Sequence, residues 1–154
     1  MRFTVGVVGK PRDAHLAGAI REYELRAMRY WPVDVHEVRE EPGRSGSADL
    51  VRQREGERLL AGIPPGAQVV ACDVNGRAMT SEQFARWLQA LREQARDVAI
   101  LIGGAHGLSD AVRQRATVSL ALAPWTLPHE LARLVLAEQL YRAGTILRGE
   151  PYHK

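Results

Sequence analysis

A chain of 154 residues has the length of one domain, and a composition of 45% hydrophobic, 25% charged and 6% aromatic residues excludes disordered, collagen-like and fibrous architectures. No apolar run reaches the roughly 18 residues of a membrane-spanning helix, and Met-Arg-Phe-Thr-Val begins a strand-like segment and not a signal peptide, so no membrane association and a cytoplasmic location are expected. The single cysteine, Cys72, excludes an internal disulfide and a cysteine-based zinc cage, and a formal charge of +3 from 19 Arg and 2 Lys against 18 acidic residues leaves a nucleic-acid partner open.

Phe3 to Val8 reads as a strand, and Leu16, Ile20, Tyr23 and Ala27 fall at helical spacing in a segment from about Asp13 to Tyr30 that Trp31-Pro32 stops. Val33 to Val38 alternates as a second strand, Glu40 to Ser47 reads as a mobile loop, and a helix is expected from about Ala48 to Ala61. After Pro64-Pro65-Gly66, Gln68 to Val74 is apolar enough to be buried on both faces, and Asn75-Gly76 signals a turn. Thr80 and Gln83 form a capping box for a helix to about Arg96, followed by a buried strand from Val98 to Ile102. A short helix from Asp110 to Ala116, with Ser109 as its N-cap, a strand from Thr117 to Leu122, a proline-bracketed loop from Ala123 to Pro128 and a long helix from about His129 to Leu147 complete the chain. Strands alternating with helices predict a single α/β domain over residues 1–154, with a mostly parallel sheet and helices on both faces.

The strand exit Gly103-Gly104-Ala105-His106-Gly107 has two readings. It is a tight turn, or a place where backbone approaches a ligand beyond the carboxyl end of a strand. Its adjacent leading glycines depart from the dinucleotide fingerprint G-x-G-x-x-G, and no phosphate-binding G-x-x-x-x-G-K-[ST] is present, which argues against nicotinamide, flavin and nucleotide-triphosphate chemistry. His129-Glu130-Leu131-Ala132-Arg133 starts like the zinc-protease helix but ends in Arg, and the other histidines are scattered, so no metal is expected. Arg142, four residues after Glu138, reads as an intrahelical ion pair or as a phosphate or substrate contact. Tyr152, His153 and Lys154 read as frayed polar residues or as a group suited to RNA, with a ring to stack, an imidazole to exchange a proton and a cation for phosphate.

Four ordered blocks, Leu101-Ile102-Gly103-Gly104-x-x-Gly107-Leu108-Ser109, Leu127-Pro128-His129, Glu138-Gln139-Leu140-Tyr141-Arg142-Ala143 and Pro151-Tyr152-His153-Lys154, resemble one family over essentially the whole chain. It is the ribosomal large-subunit RNA methyltransferase H family, the 23S rRNA pseudouridine-1915 N3-methyltransferases. The resemblance implies a SPOUT-class α/β fold with a trefoil knot in its C-terminal half, S-adenosylmethionine as cosubstrate, no metal, a homodimer, and 23S rRNA within the assembled ribosome as partner. Carried over by position, the cofactor cradle is Cys72, Gly104, Ala123, Pro124, Trp125, Thr126, Leu127 and Pro128. The residues implied to hold the base are Arg142, Tyr152 and His153, with His129 as a supporting or proton-handling group, and the tail of one subunit completing the other's pocket. Cys72 stands where relatives often have Leu, and Trp125 is bulkier than the pattern. A non-catalytic ribosome-associated protein of the same fold and an α/β enzyme using another nucleotide are the alternative readings.

Overall fold

The structure, a computed structural model, describes residues 1–154 apart from the side chain of Ser45. Five strands, β1 (Phe3–Val8), β2 (Val33–Val38), β3 (Gln68–Ala78), β4 (Val98–Leu101) and β5 (Val118–Ala121), alternate with five helices, α1 (Ala14–Ala27), α2 (Ala48–Ala61), α3 (Ser81–Glu93), α4 (Asp110–Arg115) and α5 (His129–Leu147). The sheet order is β2-β1-β4-β3-β5 and every paired neighbour is parallel. The α/β class, the parallel sheet and the two helical layers are as the pattern of elements predicts.

Side-chain alternation along the strands builds two cores. Phe3, Val5, Val7, Val70, Val98 and Ile100 face the layer of α1, α3 and α5, where they meet Ala27, Phe84, Leu88, Leu136 and Leu140. Val8, Val69, Ala71 and Leu101 face the smaller layer, against Leu59 of α2 and Val112 of α4. Trp31 is fully buried in the larger core; its ring and that of Phe3 stand nearly perpendicular with centres 5.3 Å apart, and its indole N–H donates to the Leu140 carbonyl at 2.8 Å, so its one polar atom is satisfied. Where α1 ends, Tyr30 lies against Gly144, and a Cβ at Gly144 would overlap the ring.

Local chemistry sets most of the boundaries. The capping box at Thr80 and Gln83 is formed in both directions, and the side chains of Asp13, Ser47 and Ser109 cap α1, α2 and α4. Helix α1 ends at Ala27 and α3 at Glu93, three residues short of the sequence expectation in each case, because the following residues close in turns and Ala95 takes a left-handed φ of 52°.

Two expectations are corrected. Asn75-Gly76 is not a turn: β3 runs on to Ala78, with a register shift that pairs both Cys72 and Arg77 with Leu120. Gly76 lies flat on β5, and a Cβ there would stand 2.6 Å from the Ser119 carbonyl carbon, so its glycine serves a close approach of two strands. The segment from Glu40 to Ser47 is not simply a mobile loop either. It contains a 3₁₀ turn at Gly43–Ser45, and Glu41 is buried where Arg54 (2.8 Å) and Arg58 both pair with it. None of the helices is long and apolar enough to cross a membrane, among the described residues.

Candidate active site

The carboxyl ends of β4 and β5, and the middle of β3 where its register shifts, open into one cleft of about 190 Å³. This is where open parallel sheets bind ligands, because strand ends and the loops after them converge there. Ile102, Leu108, Leu122 and Ala132 give it an apolar floor, and Leu127 and Trp125 come from the proline-bracketed loop, Trp125 with 78% of its surface exposed. The polar groups are few. Asp73, in the middle of β3 where its register with β5 shifts, accepts from Arg113 Nε at 2.7 Å and from the Asn75 N–H at 3.0 Å, and these bonds, the arginine's above all, hold its carboxyl below the usual range. Arg113 also donates to the Leu108 carbonyl at 2.8 Å, so it ties β3 to the β4 exit. Burial pushes the Cys72 thiol up to about 12, so it remains a neutral, weakly polar wall.

The glycine loop after β4 is folded back on itself. Gly107 N–H donates to the Gly104 carbonyl at 3.0 Å, Gly107 has a φ of +82°, and a Cβ at Gly103 would lie 2.5 Å from the Gly107 carbonyl carbon. The reading as a tight turn holds, and the loop also lines the cleft. Gly104 is glycine for a different reason. A Cβ there would point into the protein, 2.8 Å from Glu55 Oε1 and 3.1 Å from Val8 Cγ1. Glu55 is 2% exposed; its Oε2 accepts from the Glu41 N–H, while its Oε1 has no hydrogen-bond partner among the described residues, and desolvation raises its pKa. The buried carboxyl behind the loop has no signature in local sequence.

Gly104→Val is therefore expected to act first on stability. Forcing an isopropyl group onto a buried carboxyl and Val8 is overpacking, which costs about 1–3 kcal/mol and corresponds to a fall in Tm of roughly 3–10 °C for a domain of this size. A thermal melt checks this; an unchanged Tm would mean that the Cβ finds space on the cleft side instead.

Of the residues assigned by resemblance to a cofactor cradle, Cys72, Gly104, Ala123, Trp125, Thr126 and Leu127 line the cleft, while Pro124 and Pro128 do not. Pro128 instead starts α5 as its N-cap, and His129, the first residue of that helix, also lines the cleft. Sequence reading missed Asp73 and Arg113; their separation of 40 residues gives no motif, and only the parallel pairing of β3 with β4 and β5 brings them together.

Arg142, Tyr152 and His153 assemble elsewhere. Arg142 pairs with Glu138 (Nε to Oε1, 2.9 Å), Tyr152 donates to the same oxygen at 3.0 Å, and the Arg142 guanidinium lies 4.8 Å from the Tyr152 ring centre and 3.2 Å from His153 Nδ1. His153 Nε2 lies 2.8 Å from Glu82, holding that carboxyl down to about 2. Tyr152 packs 4.5 Å from Tyr141, and burial with hydrogen bonding raises its pKa, so it remains a neutral phenol. The intrahelical pair with Glu138 is real and coexists with the contact to the tail, which is docked and not frayed. His129 does not join this group. Thirteen positions of one helix separate it from Arg142, roughly 20 Å of rise.

Residues 1–153 match a family model described as predicted SPOUT methyltransferase. The chain is 68% identical over 154 residues to the ribosomal RNA large subunit methyltransferase H of Gemmatimonas aurantiaca, and 50% identical to that of Anaeromyxobacter sp. strain Fw109-5, covering all of both chains in each case. The chain belongs to the ribosomal RNA large subunit methyltransferase H family of SPOUT methyltransferases. The fold agrees: crystalline TrmJ from Z. mobilis ZM4 superposes with a TM-score of 0.55 at 19% identity, covering 93% of this chain and 70% of TrmJ. A probable methylase family protein from Haemophilus influenzae Rd KW20 does so with a TM-score of 0.55 at 13% identity, covering 99% and 70%. This methyltransferase therefore has a cleft at the strand ends and a docked tail that are separate within one chain.

Proposed function

We propose that this methyltransferase transfers a methyl group from S-adenosylmethionine to N3 of the pseudouridine at position 1915 of 23S rRNA, acting in the cytoplasm on the assembled ribosome. The observation that carries the reading is the full-length, 68% correspondence to a protein named for ribosomal RNA methylation. The cleft fits the cosubstrate chemically: an apolar floor suits an adenine ring, loop backbone offers donors and acceptors for its edge, and the ionised Asp73 suits an ammonium or a ribose hydroxyl. When bound there, the cosubstrate supplies an electrophilic methyl group whose departing sulfur keeps the bonding electron pair. The protein's task is then to hold the acceptor nitrogen in line and let its proton leave. Arg142, Tyr152 and His153 are the groups for orienting the base; Tyr152, as a neutral phenol, donates or stacks and takes no proton. His129, at the cleft, supports or handles the proton from the other side.

The roughly 20 Å between the two groups favours a composite site in a homodimer, with the tail of one subunit over the cleft of the other. Leu131, Leu134 and Val135 of α5, only half-buried within one chain, offer an apolar surface for such a pairing. The C-terminal half is proposed to be threaded as a trefoil knot, a reading supported by the order β4-β3-β5 and by α5 returning to pack against both α1 and α3.

The deciding experiment offers labelled S-adenosylmethionine with naked 23S RNA, isolated large subunits and joined ribosomes, and maps the methylated nucleoside. Labelling of ribosomes at one pseudouridine is expected; efficient labelling of naked RNA would overturn the dependence on assembly, and labelling of none would favour a non-catalytic ribosome-associated protein. Cys72 reports on the cleft independently. Its protonated thiol is expected to react with iodoacetamide at pH 8 at least roughly tenfold more slowly than free cysteine, and more slowly still with S-adenosylhomocysteine present. Mass spectrometry of the single cysteine checks both; no protection by S-adenosylhomocysteine would move the cosubstrate away from this cleft.

A further inference from the structure

Beside the docked tail lies a second concavity, formed where the end of α5 meets α3 and the residues after α1. It is lined by Tyr30, Gln89, Arg92, Gly144, Leu147 and Arg148. Two guanidiniums face it, and neither has an ion-pair partner among the described residues. Both are held in place without one. Arg92 stacks 3.8 Å over the Trp31 ring and donates to the Tyr30 carbonyl at 2.9 Å; Arg148 lies 4.7 Å over the Tyr30 ring. Two carboxylates that bond to residues lining the notch do so through neutral groups: Glu93 accepts from Gln89 at 3.0 Å, and Glu150 accepts from the Tyr30 hydroxyl. Partial burial and the charge of Arg148 both disfavour the charged form of Arg92, which is the signature of two like charges brought together without compensation.

Aromatic stacking costs an arginine none of its in-plane donors. Two stacked, uncompensated guanidiniums around one notch are therefore a fork for a multidentate oxyanion, and phosphate is the oxyanion whose geometry such forks match. Gly144 lets the Tyr30 ring, over which Arg148 lies, pack directly against α5. The notch is also joined to the tail by a row of rings: Tyr30 to Tyr141 at 5.8 Å and Tyr141 to Tyr152 at 4.5 Å.

We propose that Arg92 and Arg148 form a phosphate-binding notch that takes one backbone phosphodiester of the RNA strand whose base is held by the tail. The inference rests on the reading of the substrate as RNA. A single phosphate clamp at a fixed distance from the tail sets the register of the strand, which addresses how a chain with a net charge of only +3 positions its substrate. The notch carries no base-specific chemistry, so it orients the strand and leaves selection of the nucleoside to the tail.

The test compares the full-length protein with Arg92→Gln/Arg148→Gln, Arg92→Lys/Arg148→Lys and Arg148→Gln alone, measuring affinity for purified ribosomes between 50 and 200 mM salt by filter binding. The double glutamine variant is expected to bind about tenfold more weakly, with the slope of log affinity against log salt reduced by about 1, the signature of one lost phosphate contact. The lysine pair retains charge without the fork and should fall in between. Calorimetric affinity for S-adenosylhomocysteine should be unchanged, because neither arginine lines the cleft at the strand ends. If loss of the Trp31 stack unfolds the double variant, Arg148→Gln alone carries the measurement, with about a threefold loss expected. Unchanged affinity and salt slope would overturn the notch, as would a double variant whose defect is dissociation of a dimer by sedimentation, which would make these arginines a subunit contact. Failure of the methylation reading is seen separately, as a wild-type protein that binds ribosomes without labelling them; its ribosome affinity still decides the notch.

Discussion

Deletion of Tyr152, His153 and Lys154 is expected to reduce methyl transfer by roughly 100-fold or more while the protein stays folded, because positioning of the acceptor is the larger part of what the tail contributes. The structural loss is bounded by the contacts seen: Tyr152 against Tyr141 at 4.5 Å, its hydroxyl on Glu138, and His153 on Glu82. An aromatic pair is worth about 0.5–1.5 kcal/mol and each of the two hydrogen bonds about as much, so Tm should fall by roughly 3–18 °C at most. Affinity for S-adenosylhomocysteine separates two arrangements. If the tail acts only on the base, affinity is retained; if it also closes the cleft of a partner subunit, affinity falls with activity. Mixing the truncated chain with a cleft-defective one should restore part of the activity, since one of the two composite sites then has an intact cleft and an intact tail. Normal turnover by the truncated enzyme would return Tyr152 and His153 to a purely structural role.

Much of the molecule is written locally, and the exceptions share a cause. Val98 to Ile102 is legible as a buried strand because burial on both faces demands an unbroken apolar run, and Thr80 with Gln83 is legible because a capping box is a contact within one turn. Asn75-Gly76 misleads for the complementary reason. Local propensity reads a turn, whereas Gly76 answers to the backbone of β5, more than 40 positions away. Glu55 is the same kind of case: nothing around it marks a carboxyl that will be buried behind Gly104, and a loop that reads as mobile supplies Glu41 as its partner. For the site, the glycine loop, Leu127 and His129 are recoverable from ordered motifs, but Asp73 and Arg113 are not, because their pairing exists only after the sheet has formed. The separation of His129 from Arg142 was implicit in a helix that keeps them thirteen residues apart.

Gly103→Ala is expected to be the most damaging single-methyl change at the cleft. A Cβ at this position meets three backbone atoms, the Gly107 carbonyl carbon at 2.5 Å, its oxygen at 2.7 Å and the Leu108 nitrogen at 2.8 Å. None of these is a flexible side-chain end, so no rotamer change can make room. The loop must open, and opening it breaks the 3.0 Å bond from Gly107 N–H to the Gly104 carbonyl and pulls at Leu108, which is buried in the smaller core and whose carbonyl anchors Arg113. Overpacking with a lost hydrogen bond costs about 2–4 kcal/mol, or roughly 4–16 °C in Tm. The cleft should suffer more than the fold, because the displaced backbone is its wall: affinity for S-adenosylhomocysteine is expected to fall at least roughly tenfold, an effect of about 1.4 kcal/mol. Gly107→Ala provides the contrast, since nothing lies within 4 Å of its Cβ and only the left-handed φ of +82° opposes the change, at about 1–2 kcal/mol. Calorimetry and thermal melts on the two variants side by side check the difference. Equal and small effects of both would mean that the closed loop is not what shapes the cleft.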